Sequence, residues 1–434
     1  MRMPRVAFKN AITSRVGLVN IILVTNTLVW YFYAFTILSN IAKNLASDHF
    51  TILLMWGLHF VGAIFSALFG AIWINKRGKQ TIFLISWMAF GVISSLASLI
   101  ANIADTPGLL VLSFLFGVAF GSGMPTCMGY FSNHTSVENR GRLAGIIVFA
   151  NGLGMLLLGT VVGESFTTKA LVLAGWRMIG LVLFLLIKPH EESEEKTKKE
   201  SQVSFRFVLG QRSFILYLIP WILFSLVNYL SQPVLANILD PSLIEFSISV
   251  ENVITGIFAI VAGFLIDFFG RKHMATAGFV MLGIGYTILG IAPENLLSLY
   301  FYTVLDGVAW GILFVIFVII VWGDLSYGAS SDKYYAIAGI PFFVSLFLRS
   351  AIGLYVSNVS PYAIFSFTAF FLFLAVLPLM YAPETLPEKT MKDRELKNYI
   401  AKAQKAVEKA QKKEAENALR ESGDSEIESD SEAF

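Results

Sequence analysis

The feature that most constrains this chain is a succession of apolar runs, each about 20 residues long, the length of a helix that crosses a bilayer. They fall at 17–38, 51–74, 80–101, 109–131, 142–163, 169–187, 213–236, 248–268, 273–292, 296–322, 334–357 and 361–381. Hydrocarbon offers backbone N–H and C=O groups no water, so such segments must satisfy them internally, as helices do. With only 14% charged residues, the chain lies outside the soluble class, where about a quarter are charged. The expected fold is an all-α membrane protein of twelve transmembrane helices. The first run carries Trp30, Tyr31, Phe32 and Tyr33 at its far end with no small-residue cleavage site after it, and reads as a span rather than a leader.

Twelve spans put the N-terminus, the even-numbered connections and the tail at one end of the bundle. Lysine and arginine number 28 at that end, against Lys43 and Lys169 at the other, with Arg177 and Arg349 inside spans. Basic residues collect on the cytoplasmic side, so this basic end, with both termini, is expected in the cytoplasm and the chain in the plasma membrane. A miscounted span would have mixed the two groups. Cys127 is the single cysteine, which excludes an intrachain disulfide and argues against a metal cluster. No metal, cofactor or nucleic-acid partner is expected, and the sequence has no Gly-Lys-Ser/Thr phosphate loop to support ATP-driven transport.

The longest polar connection, 188–212, divides the spans six and six. It reads as a mobile cytoplasmic linker, because its charged residues bury too little surface to offset ordering. It joins an N-terminal half at 1–187 to a C-terminal half at 213–382. A charged tail follows at 383–434, with a helix-compatible stretch at 392–420 and a disordered end. A repeat supports the division: AIWINKRGKQ at 71–80 aligns without gaps on GFLIDFFGRK at 263–272, an offset of 192. Arg142-Leu143-Ala144-Gly145 likewise aligns on Ala336-Ile337-Ala338-Gly339 at an offset of 194.

The paired glycines of that repeat, Gly78 and Gly270, sit in very short turns that call for positive φ. An acidic group at the end of a span can face the positive N-terminus of a neighbouring helix. Gly263, Asp267, Gly270, Arg271 and Lys272 resemble the loop signature of the major facilitator superfamily, Gly-x-x-x-Asp-(Arg/Lys)-x-Gly-Arg-(Arg/Lys). In the first half only Lys76 in part, Gly78 and Lys79 match, and Asn75 replaces the acid. Glu138-Asn139-Arg140-Gly141-Arg142 adds to the likeness, and Gly175-Trp176-Arg177 and Pro383-Glu384-Thr385 resemble the sugar-porter branch. The resemblance covers the whole chain. It implies two pseudo-symmetric six-helix bundles around a central cavity, working as a monomer by alternating access. It also implies that Asp267 meets the start of span 5, with Arg140 and Arg142, as part of an inner gate, and that Asn75 leaves the mirror contact with span 11 weaker. The other reading of the motif is a turn and cap that serves folding alone.

Ionisable groups at membrane depth are costly and so are functional candidates. Asp306 lies near the middle of span 10 and Arg349 in span 11. They read either as a permanent salt bridge, or as a proton carrier beside an anion-binding arginine. His59 in span 2 is a second proton-coupling candidate, with a packing histidine as the alternative. Arg177 sits deeper in span 6 than the resemblance implies, and Glu251 reads as interfacial. Candidates for lining a solute site are Arg349, Arg177, Asn26, Tyr33, Asn151, Asn228, Gln232 and Trp310, each of which could equally serve interhelical hydrogen bonding.

The expected function is secondary transport of a small organic solute, driven by a proton gradient or by facilitated diffusion. Span 5 has Ala150-Asn151-Gly152-Leu153-Gly154 where drug–proton antiporters of the superfamily carry Gly-Pro, which weakens the efflux reading without removing it. A membrane sensor that kept the fold but lost transport is the alternative from another class. No His/Asp/Glu cluster with catalytic spacing occurs in the spans, which argues against an enzyme.

Overall fold

The structure, a computed structural model, describes residues 15–45, 49–77, 80–100, 105–161, 165–187, 203–326, 329–356 and 359–386, with 400, 404 and 407. Twelve helices are long and apolar enough to cross a membrane. Spans 1 to 6 are Arg15–Ala42, His49–Trp73, Gln80–Ala97, Thr106–His134, Arg140–Thr160 and Phe166–Ile187. Spans 7 to 12 are Arg212–Leu235, Pro241–Phe269, Arg271–Ile291, Leu296–Leu325, Asp332–Ala351 and Pro361–Tyr381.

The helix neighbours repeat. Span 1 packs on spans 5 and 6, span 2 on span 4, and span 3 on span 6; six positions later, span 7 packs on spans 11 and 12, span 8 on span 10, and span 9 on span 12. The contacts that cross between the sixes pair up under the same shift: span 5 with span 8 mirrors span 2 with span 11, and span 5 with span 10 mirrors span 4 with span 11. This is the pattern of a pseudo-twofold axis. The spans form one compact unit ending at Thr385. Part of the expected linker is helical: Phe205–Gly210 is capped by the Ser204 hydroxyl, and Lys333 of span 11 donates to the Val203 carbonyl at 2.6 Å. The expectations for 188–202 and for most of the tail fall outside the described residues.

Two spans depart from regular helix near the middle of the molecule. Span 4 breaks between Gly121 and Met124. Beside the break, the Trp87 indole N–H donates to the Ala119 carbonyl at 2.6 Å, supplying a partner in place of the interrupted ladder. Span 10 widens to a π-helix over Phe314–Ile320, where Val321 N bonds to Ile316 O. The carbonyls freed by the wider turn are taken by neighbours: Trp322 Nε1 donates to Phe317 O, and the Tyr335 hydroxyl to Ile319 O, both at 2.5 Å.

Candidate functional site

At the basic end, the turn between spans 8 and 9 is a single residue. Gly270 has φ +96°, a conformation that side chains disfavour, and a Cβ there would lie 2.3 Å from Glu384 Oε2. The Glu384 carboxylate fills that place and accepts from the backbone N–H groups of Arg271 (2.8 Å) and Lys272 (3.1 Å), capping span 9. Pro383-Glu384-Thr385 thus brings the end of span 12 onto the start of span 9.

Asp267, fully buried in the last turn of span 8, accepts from Gly141 N at 2.9 Å and Arg142 N at 3.0 Å, the first free donors of span 5. Its oxygens also lie 3.6 Å from Arg142 Nε and 3.5 Å from Arg271 Nη1. Close approach makes this possible: a Cβ on Gly263 would sit 2.4 Å from the Gly141 carbonyl. Sequence reasoning missed the second centre, Asp324 in the last turn of span 10. It pairs with Arg140 of the first half and with Arg271 Nε at 2.9 Å, and Thr385 Oγ1 lies 3.4 Å away. Arg140 also donates to the Ser132 and Thr135 carbonyls, and Arg271 to that of Val137. Buried charges in both halves therefore meet in one hydrogen-bonded cluster. Each ion pair is worth little against its own desolvation, but removing one partner strands the other. Lys272 reaches the Met380 carbonyl at 2.8 Å. In the first-half copy of the motif, Gly78, Lys79 and the Asn75 side chain lie outside the described residues.

Further into the bundle, a cavity of about 90 Å³ lies between the halves, walled by spans 1, 2 and 4 from one and by spans 7, 10 and 11 from the other. Ten of its twenty lining residues are aromatic, so ring faces and edges make most of the wall. Tyr31 stacks on Phe120 at 3.6 Å, and Trp221 on Phe317 at 5.5 Å. Among the described residues, no charged, amide or aliphatic hydroxyl side chain lines it. Its polar side-chain atoms are already engaged: Trp221 Nε1 with Ala338 O at 2.8 Å, Trp322 and Tyr335 with span 10 carbonyls, and the Tyr31 hydroxyl with His59 Nε2 at 3.3 Å. His59 itself is buried, with Nδ1 2.9 Å from the Ser113 carbonyl. A neutral ring with the proton on Nδ1 satisfies both contacts, the packing alternative.

None of the eight expected solute-site residues lines this cavity. Asn26 is turned into the first half, donating to Trp176 O at 2.7 Å and accepting from Arg177 Nη1 at 3.0 Å. Arg177 also bonds Thr27 Oγ1 at 2.9 Å and lies over the rings of Trp87 (4.4 Å) and Trp30 (5.3 Å), facing the interior of its half. Asn228 belongs to a network inside the second half: its Oδ1 accepts from the Tyr286 hydroxyl at 2.9 Å, which also meets Ser231 Oγ (2.7 Å) and Tyr302 (3.1 Å). Trp310 packs on Phe224 and Tyr229, Tyr33 is buried, Asn151 and Gln232 are half-buried, and Arg349 is exposed.

Asp306 and Arg349 form no ion pair among the described residues, against the salt-bridge reading. The stretch of span 10 that carries Asp306 packs on spans 8 and 9, whereas span 11 packs on spans 7 and 2. Asp306 is buried beside Tyr302, and span 8 packs close against this turn, with the Glu251 backbone carbonyl 3.0 Å from where a Cβ on Gly307 would stand. Glu251 is half-buried, and span 8 begins at Pro241, ten residues before it, rather than at 248.

Residues 19–237 match the family profile of the Major Facilitator Superfamily. Among solved structures, the proton:xylose symporter XylE is similar with TM-score 0.68 and 16% identity over 86% of this chain and 96% of that one. The E. coli fucose:proton symporter FucP is similar with TM-score 0.67 and 10% identity over 84% and 98%. No curated protein sequence matches the chain.

Proposed function

The chain belongs to the Major Facilitator Superfamily, and from that premise we propose that it is a secondary transporter moving a small organic solute across the plasma membrane by alternating access. The observation that carries this reading is the buried cluster joining the halves at one end of the cavity. Asp324 reaches Arg140 across the interface and Asp267 holds the start of span 5. Such a contact is bistable. Closed, its charges are dry and paired; opened, water replaces each partner, so the halves can rock about the cavity. In this reading the basic end is cytoplasmic and the cluster is the inner gate.

Proton movement accompanies the solute, with Asp306 as carrier and Glu251 as its partner. Neither carboxylate has an ion pair among the described residues, and one Asp306 oxygen is buried without a hydrogen bond. A carboxylate so placed is held most cheaply with a proton on it, so gain and loss of that proton can be coupled to exposure. The xylose and fucose symporters share the fold and are proton-coupled by name, which supports the same coupling here. The test is flux in proteoliposomes under an imposed pH gradient. Solute movement with protons, lost in Asp306→Asn, is expected; flux unchanged in that variant overturns the assignment of Asp306. Binding without any flux overturns transport.

A further inference from the structure

We infer that the central cavity accepts an uncharged aromatic compound, and that sugars and organic anions are not its ligands. This deepens the transporter reading and rests on it only in taking this cavity as the solute's place.

A pyranose is ringed with hydroxyls, and each must exchange its water for a protein partner or lose free energy on entry. Sites that take sugars therefore present several unengaged donors and acceptors. Here, among the described residues, every side-chain N–H and O–H donor of the wall is already engaged, and only the two tyrosine oxygens keep accepting capacity. The indoles of Trp221 and Trp322 and the hydroxyls of Tyr31 and Tyr335 are all bonded to protein atoms. Freeing any of them would strand a partner, for instance the Phe317 or Ile319 carbonyl released by the π-helical turn. An anion fares worse, because no cation among the described residues lines the cavity and Arg177 faces the interior of its own half.

What the wall does offer is ring surface from both halves. Tyr31 and Phe120 of the first half meet Phe343 of the second edge to face, at 6.3 and 6.1 Å, and Trp221 with Phe317 forms another stacked pair. A flat apolar ring can replace these contacts by stacking or edge contact with either half. A cavity with such a lining stays dry and takes apolar guests. The halves would thus share a guest by ring contacts that either can release when the interface opens.

The experiment uses the full-length protein in proteoliposomes and an uncharged phenyl-diazirine as photoprobe, with labelled residues mapped by mass spectrometry. Label is expected on wall residues such as Met124, Met128 and Phe317, competed by benzyl alcohol and left untouched by D-xylose or benzoate. Phe317→Asn with Phe343→Ser should cut that label by about tenfold, the size of effect expected from losing ring contacts. The competition arm needs no variant, so a misfolded variant leaves the test intact. Label confined to lipid-facing surfaces, or competed by xylose or benzoate, overturns the inference. Xylose flux under a pH gradient without competed wall label would leave the transporter reading standing and sink this one. Competed wall label without flux of any solute would do the reverse.

Discussion

In the first half, Arg177 lies fully buried between Trp30 and Trp87, while in the second Asp306 lies buried beside Tyr302. The halves pair their helices alike, and each buries charge without an ion pair among the described residues, but of opposite sign. The difference teaches which charge is fixed. A guanidinium cannot shed its proton in a protein. Arg177 is therefore a permanent cation, with its desolvation offset by two ring faces and by hydrogen bonds to Asn26 and Thr27. A carboxylate can be neutralised by one proton. In the proposed mechanism the first half holds a structural charge, and the second an exchangeable one.

The sharpest way to break that comparison is to remove each charge in turn. Arg177→Ala empties a fully buried site of a long side chain and takes the cation from both indoles. A loss of ~3–5 kcal/mol is expected, in the range of large-to-small core changes, read as a fall in the thermal unfolding midpoint of the purified protein. Asp306→Asn keeps the shape and the neighbour Tyr302, and should change stability by less than ~1 kcal/mol while abolishing proton movement with solute. Equal destabilisation by the two variants would show that both charges are structural.

The next variant makes one half imitate the other. Asn75 stands where the repeat has Asp267, so Asp267→Asn gives the second half the first half's residue. The carboxylate's attraction for the start of span 5 and for Arg142 and Arg271 goes, with a weakening of the closed basic end by ~1–2 kcal/mol. Accessibility of a cysteine placed in the cluster to an aqueous maleimide should rise about tenfold. Unchanged accessibility would return Asp267 to the role of a folding cap.

How much of this was legible follows from range. Span number and the split into sixes depend on apolar length and charge bias, which are local, and so could be read directly. The contact of Asp267 with the start of span 5 could be read because a short motif holds both the acid and the turn. Asp324 was missed because span 10 was closed at Trp322, whereas the helix carries on to Leu325 through its π-helical turn. That places the acid inside the bundle rather than in a loop. The solute-site expectation searched for polar residues on the central spans, yet Asn26 and Asn228 turn inward to satisfy helices of their own halves. The aromatic lining carried no signal of its own. Phe317, which faces the cavity, and Phe367, which is exposed, sit in equally apolar runs, and only packing separates them.

A smaller effect tests the break in span 4. Trp87→Phe keeps a ring over Arg177 but leaves the Ala119 carbonyl without its indole donor, for an expected loss of about 1 kcal/mol. No change in the unfolding midpoint would mean that another donor serves that carbonyl.

The smallest prediction decides why the first half lacks the acid. Span 5 opens on Arg140, but its counterpart, span 11, opens on Asp332, buried and held by the Ser330 hydroxyl at 2.7 Å. Under the pseudo-twofold relation, an aspartate at position 75 would bring a second carboxylate towards a helix start that already carries one. On that relation an uncharged residue is expected at position 75, and the sequence has Asn there. Asn75→Asp should weaken the contact between spans 2 and 11 by ~0.5–1 kcal/mol, and Asp332→Asn in the same chain should recover that loss, a coupling that a double-mutant cycle on the unfolding midpoint resolves. A gain in stability from Asn75→Asp alone would mean that the mirror site takes an acid as readily as span 5 does. The acid at the start of span 11 would then not be what keeps position 75 neutral.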